Sequence, residues 1–333
     1  VFIGHDVLDE LPAVCRDLHL GKSVLIVTGT KTRDVAGAKA ADLLACEHEV
    51  AFFSAPPISP SSIREAEEAS RGSDFLVAVG GGRVIDTAKI AAFNLDLPFI
   101  SVPTAASHDG IASARASVPG VGDGSLEAEP PIAIIADTRI IAAAPHRLLA
   151  SGCADIISNY TAILDWELSH RLRGEPVSEY AVALSRMTAE LLVKDADTIK
   201  PHQEESAWTV TKALVSSGVA MSIAGSSRPA SGGEHKFAHA LERLEPGKTL
   251  HGEACGVGTI ITMYLHGGDW RAIREALRTI GAPTTPTELG VGDDAAVEAL
   301  MMAKTIRPER FTILDMGLSR EQARELVKML YQE

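Results

Sequence analysis

His235 and His239 stand four residues apart in a segment with helical periodicity, so their imidazoles share one helix face. His251 follows at the start of a further helical segment, directly before Gly252 and Glu253. Asp155 lies in an earlier helical segment. One carboxylate and two or three imidazoles on separate helices form a candidate divalent-metal site with an open position, and zinc suits such ligands without redox chemistry. A lone histidine is usually a structural residue. A His-x-x-x-His pair followed by His-Gly-Glu is less common, and from the residues alone both readings stand.

A second candidate site is glycine-rich. An apolar run over 74–79 leads into Gly80, Gly81 and Gly82, and Arg83, Val84, Ile85 and Asp86 then open a helical pattern. Glycines let a backbone approach a phosphate, and a helix N-terminus offers unpaired N–H groups and the positive end of a dipole. Asp86 falls in the first turn, where it could orient the loop. The spacing is not Gly-x-Gly-x-x-Gly, so the dinucleotide fingerprint is not met. A ligand-free strand-to-helix turn is the competing reading, and the flanking strand and helix favour phosphate. The turn after the first strand carries Lys31 and Arg33 where an NAD-selective fold normally has an acidic residue. We therefore expect NADP(H) to be accepted alongside NAD(H), unless these are solvated turn residues.

A third stretch, 102–110, follows another apolar run. Thr104 and Ser107 could bond a cofactor and Asp109 a substrate hydroxyl. Taken alone, the stretch reads better as a helix cap with Ser107 or Asp109 as the capping residue.

The elements that must position these residues change character along the chain. Apolar runs at 23–28, 49–53, 74–79, 98–102 and 132–136 alternate with helical patterns such as 62–70 and 84–94. Near-continuous apolar strands separated by helices indicate an α/β domain with a parallel, Rossmann-like sheet covered on both faces. After about Pro145 only helices are expected: 148–171, 178–194, 207–224, 234–244, 252–265 and three more near the end. We therefore expect a dinucleotide-binding domain over 1–146, an all-helical metal- and substrate-binding domain over 147–333, and a ligand cleft between them.

With 333 residues, two domains are the starting expectation. The net charge of -13 argues against nucleic acid, which needs a basic face. It leaves room for a small anionic substrate held by one local Lys or Arg. Cys15, Cys46, Cys153 and Cys255 show no Cys-x-x-Cys spacing, and such isolated thiols suggest a reducing compartment, here the cytoplasm. There is no run of 18 apolar residues for a membrane span. His5, Asp6, Asp9 and Glu10 interrupt the apolar core that a signal peptide would need.

Taken together, the segments 80–89, 103–113, 151–162, 226–239 and 250–259 resemble the archaeal-type sn-glycerol-1-phosphate dehydrogenases. These form a branch of the superfamily holding glycerol dehydrogenase, iron-containing alcohol dehydrogenases and dehydroquinate synthase. The resemblance runs over nearly the whole chain, and the stretches 227–235 and 306–314 look like this branch rather than its relatives. It implies a dehydroquinate synthase-like fold. It also implies NAD(P)-dependent, zinc-dependent reduction of dihydroxyacetone phosphate to glycerol 1-phosphate, for the backbone of archaeal ether lipids. Residues 82–86 would hold the cofactor diphosphate. Thr104, Ala105, Ala106, Ser107 and Ser113 would line the nicotinamide side. Asp155, His235 and His251 would bind zinc, and Asp109, Asp155 and His239 would meet substrate. Asp155 and His239 are the catalytic candidates, with water or His239 as proton donor. For the substrate phosphate, Arg228 is the first candidate and Lys236 the second. Iron enzymes of the superfamily have a histidine where Asn159 stands, and dehydroquinate synthase has glutamate where Asp155 stands. His108 departs from the smaller polar residue expected there. A homo-oligomer is expected. The competing functions are a glycerol dehydrogenase acting on the unphosphorylated triol and a catalytically silent nucleotide-binding regulator.

Overall fold

The computed structural model describes residues 1–118 and 125–331. The chain divides into two compact units: Val1–Leu149 with Pro201–Gly218, and Ala150–Lys200 with Val219–Glu333. The sequence suggested one crossing, near residue 146. The chain returns to the first unit over 201–218, and the helix Glu204–Ala224 runs through the boundary at 218, so no change of pattern marks it in the sequence.

The first unit is built on six parallel strands: β1 Phe2–Gly4, β2 Ser23–Thr28, β3 Glu49–Ser54, β4 Phe75–Gly80, β5 Phe99–Pro103 and, after a small hairpin, β8 Ala133–Asp137. The hairpin pairs β6 Arg115–Ser117 with β7 Ser125–Glu127. The sheet order is β1-β8-β5-β4-β2-β3. Five strands fall within a residue or two of their expected bounds. β1 and the hairpin were not expected, because three residues are too few to show a period.

Burial explains the order. β4 is buried at all six positions, as its uninterrupted apolar run requires, whereas β3 lies at an edge and is largely exposed. Val24 and Ile26, Phe75, Val77 and Val79, Ile100 and Val102, and Ala133 and Ile135 alternate onto one face. Leu8, Leu11, Val14, Ala40 and Leu44 cover that face. The helix Gly82–Asn94 packs on β4 and β5. The strand order reverses between β2 and β4, and ligands of open parallel sheets bind outside the carboxyl ends of strands at such a reversal.

The second unit is helical among the described residues. Its long helices are His146–Arg173, Glu179–Lys194, Gly233–Leu244, His251–Leu265, Trp270–Ile280, Asp293–Ala303 and Arg320–Tyr331. Gly233–Leu244 packs on both His251–Leu265 and Asp293–Ala303. No helix among the described residues is long and apolar enough to cross a membrane.

Candidate metal and cofactor sites

Three helices of the second unit deliver the expected metal residues. Asp155 sits in the first half of His146–Arg173, His235 near the start of Gly233–Leu244, and His251 at the first position of its own helix. Glycines set the spacing of these helices. A Cβ on Gly252 would lie 2.0 Å from the backbone oxygen of Ser151, one turn before Asp155. On Gly258 it would lie 2.9 Å from the backbone oxygen of Glu234, and on Gly256 3.0 Å from Ala154 Cβ. The helix bearing His251 thus lies nearly backbone to backbone against both partners.

The donors converge. His235 Nε2 and His251 Nε2 each lie 3.8 Å from the same oxygen of Asp155, Oδ1. That exceeds hydrogen-bonding distance and suits ligands around a shared centre. Asp155, His235, His251 and Cys255 each place a ligand atom within 4.8 Å of all the others. Asp155 is buried at 2% exposure. Burial first, then the charges of His251, Arg307 and Arg310, push the His235 imidazole well below its usual range. His235 is therefore neutral, the form that ligates a metal. Nitrogen, oxygen and sulfur donors of this kind fit zinc.

Behind His235 stands Glu234, which the sequence reading assigned no role. Its Oε1 lies 3.1 Å from His235 Nδ1 and accepts from Gly232 N at 2.5 Å, while its Oε2 accepts from Thr161 Oγ1 at 2.9 Å. With Nδ1–H donating to the carboxylate, the Nε2 lone pair is turned toward Asp155. Burial raises the Glu234 carboxyl above the usual range. The only signal in the sequence was a carboxylate immediately before a ligand histidine. Asp165 braces the same helix: Gly233 N donates to its Oδ2 at 2.6 Å, and His266 Nε2 lies 3.0 Å from its Oδ1.

His239 lies one turn past His235, with its ring centroid 5.4 Å from that of His251. It is buried, and its Nδ1 has no hydrogen-bond partner. With Glu242 and His251 it forms a second group of neighbouring donors. Asn159, one turn past Asp155, is buried.

Arg228 and Lys236, the candidates for the substrate phosphate, both have partners inside the fold. Arg228 is buried; its Nε donates to Glu175 Oε1 at 2.7 Å, Nη2 donates to Glu175 Oε2, and Nη1 donates to Phe311 O at 2.9 Å. The guanidinium is used inside the fold. The Lys236 ammonium is likewise held by Asp315 Oδ2 at 2.8 Å. The cations whose charge reaches His235 are Arg307 and Arg310. Arg307 is buried, with a left-handed φ of 45°, a backbone state that non-glycine residues rarely adopt without a reason.

In the first unit, Gly80, Gly81 and Gly82 turn the chain from β4 into the helix Gly82–Asn94. Gly80 is needed because a Cβ there would sit 2.6 Å from Val84 Cβ, whereas a Cβ on Gly81 would meet nothing within 4 Å. Gly81 caps the helix in extended conformation without a side-chain bond. Arg83, Val84, Ile85 and Asp86 form the first turn of that helix. Asp86 and Lys89 tie the glycine loop to the following segment. Ser117 N donates to Asp86 Oδ2 at 3.1 Å, and Lys89 Nζ donates to Gly110 O at 2.7 Å and Arg115 O at 2.6 Å. Burial pushes the Lys89 ammonium below its usual range, against the charges of Asp86 and Asp109.

Thr104 N donates to Gly80 O at 2.9 Å, so the loop after β5 starts beside the glycines. Thr104, Ala105, Ala106 and Ser107 are all buried. The short helix Asp109–Ile111 is capped by His108, whose Nδ1 accepts from Gly110 N at 3.0 Å, and not by Ser107 or Asp109. That is a job for the residue that departed from expectation. Asp109 Oδ2 accepts from Ser217 Oγ at 3.0 Å. Ser113 turns to its own loop, accepting from Arg115 N at 3.3 Å. Arg33, an exposed residue, lies over the Phe52 ring at 4.4 Å from its centroid.

Residues 2–145 match the sequence profile of the iron-containing alcohol dehydrogenases. Two solved structures share the fold: a probable glycerol dehydrogenase from Sinorhizobium meliloti, with TM-score 0.80 and 24% identity over 99% of this chain and 95% of that one, and glycerol dehydrogenase from Schizosaccharomyces pombe, with TM-score 0.80 and 20% identity over 99% and 88%. The profile thus covers less than half of the chain, and the two structures show a common fold. A protein of Methanoculleus marisnigri named glycerol-1-phosphate dehydrogenase (NAD(P)+) is 71% identical over 100% of this chain and 93% of its own length. A protein of Methanosarcina acetivorans with the same name is 55% identical over 99% and 94%. The chain belongs to this glycerol-1-phosphate dehydrogenase family, whose members are NAD(P)-dependent oxidoreductases.

Proposed function

We propose that this chain reduces dihydroxyacetone phosphate to sn-glycerol 1-phosphate with NADH or NADPH, with zinc at Asp155, His235 and His251. The observation that carries the reading is the convergence of those three side chains, from three helices, around one point in a chain of this family. A divalent cation held there supplies Lewis-acid polarisation of a carbonyl oxygen.

The chain's own residues have separable tasks. Glu234 fixes the tautomer and orientation of His235. The N-terminal amides of the helix Gly82–Asn94, with Gly81 leaving open space before them, receive the cofactor diphosphate. Thr104, Ala105, Ala106 and Ser107 line the nicotinamide side, and Asp109 is kept as a substrate contact. His239 is our candidate to face substrate, a reading supported by its burial beside His251 and its unsatisfied Nδ1. For the phosphate, Arg307 stands beside Arg228 as a candidate: it is a buried cation whose Nη1 donates to Ser231 Oγ at 3.3 Å, and its charge acts on both His235 and His239. The basic turn with Lys31 and Arg33 supports acceptance of NADP(H).

The product serves as the glycerophosphate backbone of ether lipids. The free thiols suit the cytoplasm. A homo-oligomer is supported by Tyr180, Met187 and Leu191, exposed at helical spacing on Glu179–Lys194, and sedimentation reads it directly.

The test is a spectrophotometric assay of NADPH oxidation with dihydroxyacetone phosphate, with and without chelator. We expect turnover that chelation abolishes and zinc restores. Turnover indifferent to chelation removes the metal from the reading, and activity on dihydroxyacetone equal to that on dihydroxyacetone phosphate returns the chain to the glycerol dehydrogenases. Arg307→Ala should raise KM for dihydroxyacetone phosphate by about 10- to 100-fold, the loss of a charged hydrogen bond, and leave dihydroxyacetone untouched. Equal losses on both substrates remove Arg307 from the phosphate role.

A further inference from the structure

The imidazole of His108 is held between two glycines. A Cβ on Gly82 would lie 1.7 Å from its Nε2, and a Cβ on Gly110 would lie 2.4 Å from its Cε1. Each glycine thus leaves room for the same ring. Both walls are fixed from behind: Thr104 N donates to Gly80 O at 2.9 Å, and Lys89 Nζ donates to Gly110 O at 2.7 Å. The tautomer of the ring is set as well. Gly110 N donates to Nδ1 at 3.0 Å, and a ring nitrogen that accepts carries no hydrogen, so the proton is on Nε2. That N–H lies against Gly82, the first residue of the helix Gly82–Asn94. The first amides of a helix have no acceptor within it. Capping alone does not explain the ring, because asparagine or aspartate accepts from such an amide as well and needs no glycine at 82. His108 is half-buried, so a ligand in the loop can reach it.

We infer that His108 is a cofactor-binding residue: its Nε2–H donates to an oxygen of the dinucleotide's diphosphate, beside the amides that open the helix Gly82–Asn94. The inference rests on the placement of the diphosphate at the glycine loop and adds a side-chain donor to it. An imidazole N–H to a phosphate oxygen is a hydrogen bond to a charged group, stronger than one between neutral partners. A ring already seated between two glycines loses little freedom in making it. The same ring caps the short helix that begins at Asp109, so the cofactor seat and the loop carrying Asp109 share one side chain.

His108→Asn separates the two roles, because its side-chain oxygen can still accept from Gly110 N but cannot replace the ring over Gly82. The full-length variant should keep its Tm and bind NADPH, followed by the fluorescence of the dinucleotide, about 10- to 100-fold more weakly. The phosphorus NMR resonances of the bound diphosphate should differ from those on the unaltered protein. In unaltered protein with nitrogen-labelled histidine, the Nε2 signal that is missing from His108→Asn should move when NADPH is added. Unchanged affinity in His108→Asn, with Gly81→Ala weakened, overturns the inference and leaves the diphosphate at the loop. Unchanged affinity in both variants brings down the placement and the role of His108 together. Weaker binding with unmoved phosphorus and nitrogen signals also overturns the inference, since the ring then only braces the loop.

Discussion

Replacing Gly81 with alanine tests the cofactor seat with little structural disturbance. Gly81 has φ −78° and ψ 179°, ordinary extended backbone for alanine, and the added Cβ meets no atom within 4 Å. Alanine is a poorer helix cap than glycine by roughly 0.5–1 kcal/mol. Reduced freedom of the unfolded chain offsets about 0.4–1 kcal/mol of that. The net change is near zero, so Tm should move by no more than about 2–4 °C, the shift that 1 kcal/mol gives in large domains. If the cofactor diphosphate lies against this backbone, the methyl group occupies its place. A misplaced methyl-sized group is worth about 1–3 kcal/mol, or roughly 10- to 200-fold in affinity. Initial-rate kinetics at varied NADPH should show KM raised by that factor, with kcat at saturating cofactor nearly unchanged. Gly82→Ala is the contrast: its Cβ would lie 1.7 Å from His108 Nε2, so the ring must swing away and stability should fall too. A folded Gly81→Ala protein with unchanged KM for NADPH would refute the placement of the diphosphate at this loop.

Three other outcomes are expected. Glu234→Gln leaves the shape of the side chain but loses a carboxylate acceptor for His235 Nδ1 and Gly232 N, and zinc affinity, measured by competition with a chromophoric chelator, should drop about 10- to 100-fold. Lys89→Met removes the buried cation that holds Gly110 O and Arg115 O beside Asp86, and denaturant unfolding should show a loss of about 3–5 kcal/mol, the cost of breaking a buried pair. Arg33→Asp should shift kcat/KM from NADPH toward NADH by about 10-fold or more, because a hydrogen bond to a charged group is worth about 1.5–3 kcal/mol; an unchanged ratio makes Arg33 only a partner of the Phe52 ring.

How much was legible follows from the range of the interactions. β2, β4, β5 and β8 announced themselves because buried parallel strands are apolar at nearly every position, and the largely exposed edge strand β3 through its short Val-Ala-Phe-Phe run. The helical half announced itself through period. β1 did not, because Phe2–Gly4 makes sense only through its pairing with Ile135, Ala136 and Asp137, far along the chain. The residues of the metal group were readable as types, but their meeting depends on Gly252 and Gly258, whose small size says nothing about which backbone they approach. Glu234 was overlooked because its second partner, Thr161, lies 73 residues away. The engagement of Arg228 was hidden for the same reason: Glu175, which accepts from its Nε, lies 53 positions earlier.

The backbone-to-backbone approach at Gly252 and Gly258 also bears on how the ion comes and goes. The spacing of the three helices is imposed by chain atoms in contact, so the ion is a guest in a finished room and not the keystone of an arch. A protein stripped by chelator should stay folded and take up a replacement without passing through an unfolded state, unlike small zinc domains that collapse when emptied. Which metal the enzyme carries would then follow the supply in the cell and could change within the lifetime of one molecule.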